Sequence, residues 1–194
     1  EVGRKKSIAA IEWAMSNNNA VFLTAQQDMD VEDPGFKDLY AYGVVAEVKQ
    51  VLRVSDELVK VLVEGKYRAK LLTLDSSGRF LLASTKAAAL RGTKSVDSAR
   101  VEALVRSVKE AFEEYLSRLS KDVVYTIITN EDAALLCDYI PANLLLKYTD
   151  KQALLNEGTV SGRLEKLLEI LRRETKILHI EKDIQSKVNE QMDK

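Results

Sequence analysis

Few side chains in this sequence have the chemistry that catalysis requires. The only histidine is His179 and the only cysteine is Cys137. A histidine acts as a general base when a neighbouring group orients it. His179 lies in a helical pattern without an obvious partner, which favours an exposed or interface residue. Cys137 follows Leu136 on the apolar side of a predicted helix, which favours a small buried hydrophobe over a reactive thiol.

Metal and cofactor motifs are also missing. The loop residues Asp28, Asp30, Glu32 and Asp33 are acidic, but they lack the spacing and the glycine of a calcium-binding loop, and a solvated loop is the better interpretation. The sequence contains no GxxxxGK[ST], CxxC, HExxH or GxGxxG motif. It therefore predicts no catalytic residue, no metal site and no cofactor within these 194 residues.

Composition narrows the class of protein. The chain has 194 residues, 46% of them apolar, with 29 basic and 30 acidic side chains. This near-neutral balance argues against nucleic acid and anionic membranes as partners. A single cysteine excludes an internal disulfide, and no apolar run approaches a membrane span, so we expect a cytoplasmic protein. The chain starts without methionine and ends inside a helical pattern, so we expect a fragment of a longer protein.

A long alternating strand is the main element of the first half. In residues 59–72 the odd positions are mostly apolar and the even positions mostly charged, which is typical of a half-buried strand. We expect Val59, Val61 and Val63 to lie in the core, and Gly65 to mark a bulge or bend. Residues 42–54 predict a second strand that pairs with the first as a hairpin. Two long strands that bend predict a small barrel or a coiled sheet.

From residue 92 onward the apolar period changes from two to 3.6, which predicts a helical subdomain over 92–194 after a β-rich subdomain over 1–91. The fold class is therefore α+β. The last helix is expected from about residue 159. After Thr175 its apolar stripe narrows to five residues with charged flanks, which is typical of a coiled coil or a stalk. They are Ile177, Ile180, Ile184, Val188 and Met192. The first four are the candidates for oligomer or stalk contacts.

An aromatic residue lies off the inner face of the first helix, which is expected over residues 4–17. Ile8, Ile11 and Met15 share the predicted inner face. Trp13 lies near Lys6 on another face, where it is either exposed or packed on an element outside the main core.

Five segments in order resemble the N-terminal domain of Lon, the ATP-dependent protease. The first three are GRKKSIAAIEWAM (3–15), EDPGFKDLYAYGVVAEV (32–48) and VKVLVEGKYRAKL (59–71). The others are LKYTDKQALL (146–155) and GRLEKLLEIL (162–171) followed by EKDIQSKVNEQMDK (181–194). They are similar to the family's VGR-x-KSI, DEPG…DL, VLVEG-x-x-RA, LK-x-x-DKQ and ERLE…EK-I…V…QM segments. The family's first strand, of the type LPLR-x-x-V-x-x-P, has no counterpart here, so we expect the sheet to be incomplete or rearranged at one edge.

This resemblance implies a six-stranded PUA-like β subdomain, a helical bundle and a long helix leading to an AAA+ module. It implies that the AAA+ module and a Ser-Lys protease domain follow Lys194, with ATP and magnesium bound there. The implied role of the fragment is to recognise unfolded, damaged or degron-bearing proteins and to support a homohexamer, without hydrolysing anything itself. The parent protein would be an ATP-dependent serine endopeptidase.

Substrate recognition requires exposed apolar surface beside polar groups, and our candidates for it are Lys5, Lys6 and Trp13. The alternative is that Trp13 packs on the absent strand or on the helical subdomain while the lysines are solvated. A second hypothesis is a free-standing PUA-like module that binds nucleic acid or a small ligand, and the neutral charge balance argues against nucleic acid. For the last helix, the alternative is packing within its own bundle.

Overall fold

The computed structural model describes residues 1–92, 98–115 and 120–192. The chain divides into two compact units, residues 1–89 and 90–194. The first unit combines one helix with a sheet and the second is helical, so the α+β class predicted from the sequence is confirmed.

Unit 1 is built on an antiparallel sheet of four strands in the order β1-β2-β3-β4. Its elements are α1 (Lys5–Met15), β1 (Ala20–Leu23), a 3-10 helix (Phe36–Asp38), β2 (Tyr42–Arg53), β3 (Val59–Asp75) and β4 (Leu82–Ala87). The long β2–β3 hairpin is the centre of the sheet, and β1 and β4 are its edges. The six strands implied by the resemblance are therefore wrong for the described residues, which form four.

Three bulges bend this sheet. Val45 pairs with Tyr67 while Ala46 pairs with Gly65, so Lys66 is an extra residue in β3. The bend predicted at Gly65 is therefore confirmed at the adjacent position, although the φ angle of Gly65 is not positive. Further register shifts leave Lys49 of β2 and Leu72 of β3 unpaired. Each bulge increases the local twist.

Burial follows the predicted alternation of β3 only in part. Val59 is buried and Val61 is partly buried, as predicted, but Val63 is exposed. The prediction that Val63 belongs to the core is wrong. β3 has no extra residue between Val59 and Val63, so Val63 keeps the predicted face, but alternation gives the face of a side chain and not how well that face is covered. In α1, Ile8 is buried as expected, whereas Met15 is exposed and Ala14 is buried in its place.

The described residues of unit 2 form five helices around one apolar core. They are α2 (Ser98–Tyr115), α3 (Lys121–Thr129), α4 (Ala133–Ala142), α5 (Tyr148–Asn156) and α6 (Val160–Met192). Phe112 of α2, Ile140 of α4 and Leu167 of α6 are fully buried in this core. The start of α6 agrees with the predicted residue 159. The apolar stripe from Val101 to Leu119 predicts a helix of more than five turns, and residues 116–119 lie outside those described.

One helix boundary differs from the sequence prediction. Thr129 is followed three residues later by Asp132, a spacing that predicts Thr129 as the start of the helix leading to Pro141. Instead, Thr129 ends α3, a helix that the pattern does not predict. Asp132 caps α4 instead, accepting hydrogen bonds from the amides of Ala134 and Leu135. A carboxylate placed directly before the helix satisfies two amide donors that have no intrahelical partner.

Candidate functional site

A groove of about 860 Å³ opens in unit 1. One wall is α1 with the residues before it, and another is the edge strand β1 together with Thr24. The floor is formed by apolar side chains of β3 and of the segment entering β4. These floor residues are Leu71, Leu74, Leu81 and Ala83. A groove of this size, with an apolar floor and a polar rim, is typical of a ligand site.

Two of the three substrate-binding candidates line this groove. Lys5 and Lys6 lie on its α1 wall. Lys6 Nζ lies 2.6 Å from a carboxylate oxygen of Asp33, in the loop after β1. Arg4 donates to Gln26 and to the carbonyl of Met29. These contacts hold the loop to the first helix and keep the groove mouth in shape.

Trp13 lies elsewhere on unit 1. Its side chain is 46% exposed, and its ring packs against Phe80 with the ring centroids 5.6 Å apart. Phe80 belongs to the segment between β3 and β4, so the aromatic partner comes from neither the absent strand nor the helical unit. The structure therefore brings Lys5 and Lys6 together at the groove and places Trp13 on a separate exposed patch.

A ring of four charges lies on the β2–β3 hairpin and was not predicted. Glu47 and Glu64 are direct partners across the ladder, a pairing of like charges that is unfavourable by itself. Lys49 and Lys66, the two bulge residues, each contact both carboxylates at 2.8 to 3.1 Å. Hydrogen bonds from Lys66 and Lys49 lower the pKa of Glu47 to about 2. The ring is electrically neutral and fixes the register of the hairpin.

The distal half of the same hairpin exposes three apolar side chains that the sequence reasoning missed. They are Leu52, Val54 and Leu62, between 52% and 60% exposed. In β3, Leu62 lies on the same side of the strand as the charged residues Lys60 and Glu64. That single apolar residue on a charged face was the signal available in the sequence.

The four stripe residues of α6, Ile177, Ile180, Ile184 and Val188, are all exposed. Every residue from 179 to 189 is exposed as well, so this part of the helix does not pack on the core of its own unit. In the structure the stripe is exposed, in contrast to the alternative in which it packs within its own bundle.

Cys137 and His179, the two residues considered for catalytic chemistry, both lie among the described residues. Cys137 is buried, and desolvation raises the pKa of its thiol to about 12, so the reactive thiolate does not form near neutral pH. His179 is exposed on α6. Among the described residues there is no group of three or more histidine, cysteine or acidic side chains placed to hold a metal ion. Within the same ranges, no helix is both long and apolar enough to span a membrane.

These features define an α+β fold that is shared with a solved structure. The N terminal domain of Mycobacterium avium complex Lon protease superposes with a TM-score of 0.69, over 86% of this chain and 85% of that one. At 20% sequence identity the likeness establishes the fold alone. Residues 1–173 match the family described as the ATP-dependent protease La (LON) substrate-binding domain. The chain belongs to this family, which confirms the resemblance found in the sequence.

The curated relatives of this chain agree with its assignment to the family. The chain is 38% identical over 197 residues to Lon protease of Escherichia coli strain K12, covering 100% of this chain and 25% of that protein. It is 38% identical over 199 residues to Lon protease of Brevibacillus choshinensis, with the same coverage. It is 36% identical over 197 residues to Lon protease of Heliobacterium modesticaldum, covering 100% and 24%. The chain thus spans about a quarter of the length of the curated relatives it matches.

Proposed function

We propose that this chain recognises unfolded, damaged or degron-bearing proteins for an ATP-dependent Lon serine protease. The observation that carries the proposal is the groove of unit 1, with its apolar floor and with Lys5 and Lys6 on its wall. An extended polypeptide places apolar side chains on one face, which fits such a floor, while its polar backbone needs hydrogen-bonding partners. The groove runs beside β1, an edge strand of the sheet, and an edge strand offers those partners.

A pair of matched variants tests the groove. Leu23 lines the groove and is 45% exposed, whereas Leu82 is 55% exposed and does not line it. We expect Leu23→Gln to weaken binding of a chemically unfolded, fluorescently labelled protein by at least about threefold, because it removes apolar contact area. We expect Leu82→Gln to bind as the wild-type chain does. Equal affinities for the two variants would count against the groove.

The candidates on α1 need a separate test. We propose that Lys5, Lys6 and Trp13 contribute contacts with substrate, and Trp13→Ala in a folded chain would then bind a denatured casein-like substrate more weakly. An affinity equal to wild type would remove Trp13 from the site. Lys5→Ala and Lys6→Ala are measured alongside, since Lys6 also holds Asp33 and Lys5→Ala changes the charge without breaking that ion pair.

We also propose that the chain acts as part of a cytoplasmic homohexamer whose AAA+ module and Ser-Lys protease residues lie outside these 194 residues. ATP and magnesium would bind in that module. The exposed α6 stripe supports the oligomeric role, because four aligned apolar side chains lie on a helix segment that does not pack on its own unit.

Sedimentation of the chain with and without residues 176–194 tests that role. We expect a larger species for the full chain and a monomer for the shortened one. Ile180→Gln with Ile184→Gln should also give a monomer, whereas Ser186→Gln, on the opposite side of the helix, should not. A monomer in every case would contradict the proposal.

A further inference from the structure

The outer half of the β2–β3 hairpin carries a second apolar surface, which we call the arm patch: Leu52, Val54 and Leu62. Gln50 pairs with Leu62 and Leu52 pairs with Lys60. Residues two apart on each strand point to the same face, so Leu52 and Leu62 are diagonal neighbours on one face of the ladder. The amide of Val54 donates to the carbonyl of Leu58, which places Val54 at the end of the same row. The bulge at Lys49 starts this row, because it shifts the pairing after Val48.

The arm patch stands on a fixed support. On the opposite face of the hairpin, Val59 is buried and exchanges two backbone hydrogen bonds with Val2, at 2.8 and 3.0 Å. Arg53 lies 2.6 Å from Glu12 of α1. A ligand that binds the patch therefore orders little of the hairpin, and the entropic cost of binding is low.

The charges that border the patch along the strands are paired within unit 1. Lys60 lies 3.6 Å from Glu1. Toward the base of the hairpin, Lys49 and Lys66 each contact Glu47 and Glu64, so the ring has no net charge. At the tip of the hairpin, Asp56 and Glu57 are exposed and add two carboxylates. The surface thus disfavours anionic partners. Its complement is an apolar segment without acidic side chains, rather than nucleic acid or an anionic membrane.

We propose that the arm patch binds a short, uncharged, apolar stretch of an unfolded polypeptide, as a contact site separate from the groove. The inference rests on the proposed substrate-recognition function and adds a selection rule to it. Because the strand charges beside the patch are paired and the turn carries carboxylates, apolar content without acidic side chains decides what binds there. Added salt does not weaken the complex as it would weaken an ionic one.

The experiment uses the whole 194-residue chain and a fluorescein-labelled peptide in which leucine and phenylalanine alternate with serine. Leu52→Gln combined with Leu62→Gln is compared with Leu135→Gln combined with Leu145→Gln. The control pair removes two exposed leucines from the helical unit. We expect the arm variant to bind at least about fivefold more weakly in fluorescence anisotropy, and the control to match wild type. A second peptide, with glutamates in place of the serines, should bind the wild-type chain more weakly than the first peptide does.

Equal affinity of the arm variant and wild type would overturn the inference while leaving the proposed function intact. Failure of wild type to bind either the peptide or an unfolded protein would overturn both. The variants are also tested with phosphatidylserine vesicles. If the arm variant loses vesicle binding but binds the peptide as wild type does, the inference is overturned in favour of a membrane contact. Amide chemical-shift changes at Leu52 and Leu62 during titration of the wild-type chain give a readout that does not depend on any variant, and their absence would also count against the patch.

Discussion

At the scale of single residues, the ion pairs of unit 1 show how two like charges can face each other in a ladder. Glu47 and Glu64 are tolerated as neighbours because the two bulge lysines lie between them. All four side chains are exposed to solvent to some degree, so their interaction is screened and its contribution depends on salt. Its clearest signature is therefore a dependence on pH.

Acid should weaken unit 1 through Glu47. Its pKa falls from the usual 4.5 to about 2 because Lys66 and Lys49 donate hydrogen bonds to the carboxylate. A carboxyl whose pKa is depressed by folding adds stability above its unfolded pKa and loses it as the pH falls through the folded pKa. The Tm of wild type should thus fall between pH 4.5 and pH 2.

The variant Glu47→Gln should show a lower Tm at pH 7 and a smaller fall on acidification, because glutamine does not titrate. Thermal melts across this pH range, at low and high salt, measure both effects. High salt should reduce the difference between variant and wild type. A Tm that falls as steeply with decreasing pH in the variant as in wild type would contradict this role of Glu47.

Two glycines of the sheet should respond differently to alanine. A Cβ at Gly43 would collide with the carbonyl oxygen of Leu23 and lie 2.7 Å from the ring of Phe22, whereas a Cβ at Gly65 would meet only Val44 Cγ1 at 3.4 Å. We expect Gly43→Ala to lower the free energy of unfolding by about 1–3 kcal/mol or more. Gly65→Ala should change it by less than about 1 kcal/mol.

Urea unfolding followed by Trp13 fluorescence measures both glycine variants. A large loss for Gly65→Ala would show that the bend needs glycine after all. A negligible loss for Gly43→Ala would mean that β1 and β2 separate easily.

At the scale of elements, the β2–β3 hairpin and α6 each pack on the core of their own unit along only part of their length. The β2–β3 hairpin buries Ala46 and Val59 but exposes the arm patch at its outer half. The helix α6 has 33 residues, about 50 Å at 1.5 Å per residue, and packs only through its first half. Leu164, Leu167 and Leu171 are fully buried, whereas residues 179–189 are exposed. In both elements the exposed part is apolar along one line, which is the property a partner would use.

Removing residues 179–194 should leave the helical unit stable. Since residues 179–189 are all exposed, their deletion removes no core contact, and we expect the melting temperature to change by less than about 2 °C. Circular dichroism at the helical band measures it at low protein concentration, where association does not add stability. A fall of more than about 5 °C would show that the distal helix stabilises its own unit.

At the scale of the whole molecule, the two units have unequal cores. Among the described residues, the helical unit buries sixteen apolar side chains in one cluster, including Phe112 and Ile140. Unit 1 buries seven, and three of them are alanines. Because the free energy gained on folding grows with the apolar area buried, unit 1 should be the less stable of the two.

Unfolding should therefore proceed in two steps. Trp13 is the only tryptophan and belongs to unit 1, so its fluorescence reports that unit, whereas the circular dichroism of helices reports mainly the other. We expect the fluorescence transition to occur at a lower urea concentration. Coincident transitions from the two probes would instead indicate one cooperative unit.

The sequence alone determined the α+β class and the positions of the long strands and of α6, because long stretches of period two or 3.6 depend only on residue order. The family followed from the resemblance of five sequence segments and not from periodicity. The sequence also identified Lys5, Lys6 and the α6 stripe as surface candidates, although substrate binding and association remain predictions. It did not predict α3, whose nine residues are mostly β-branched valine, isoleucine and threonine, residue types that favour strands.

Only the tertiary structure decided which apolar residues are exposed. Leu52 and Val54 look like core residues in a list of alternating positions, yet the bulge at Lys49 shifts the pairing of β2 and leaves them at the surface. Val63 keeps its predicted face and is nevertheless exposed. The groove is likewise formed by α1, β1 and β3, which are distant in sequence. A bulge depends on the partner strand and a groove on several elements at once, so neither can be read from local residue order.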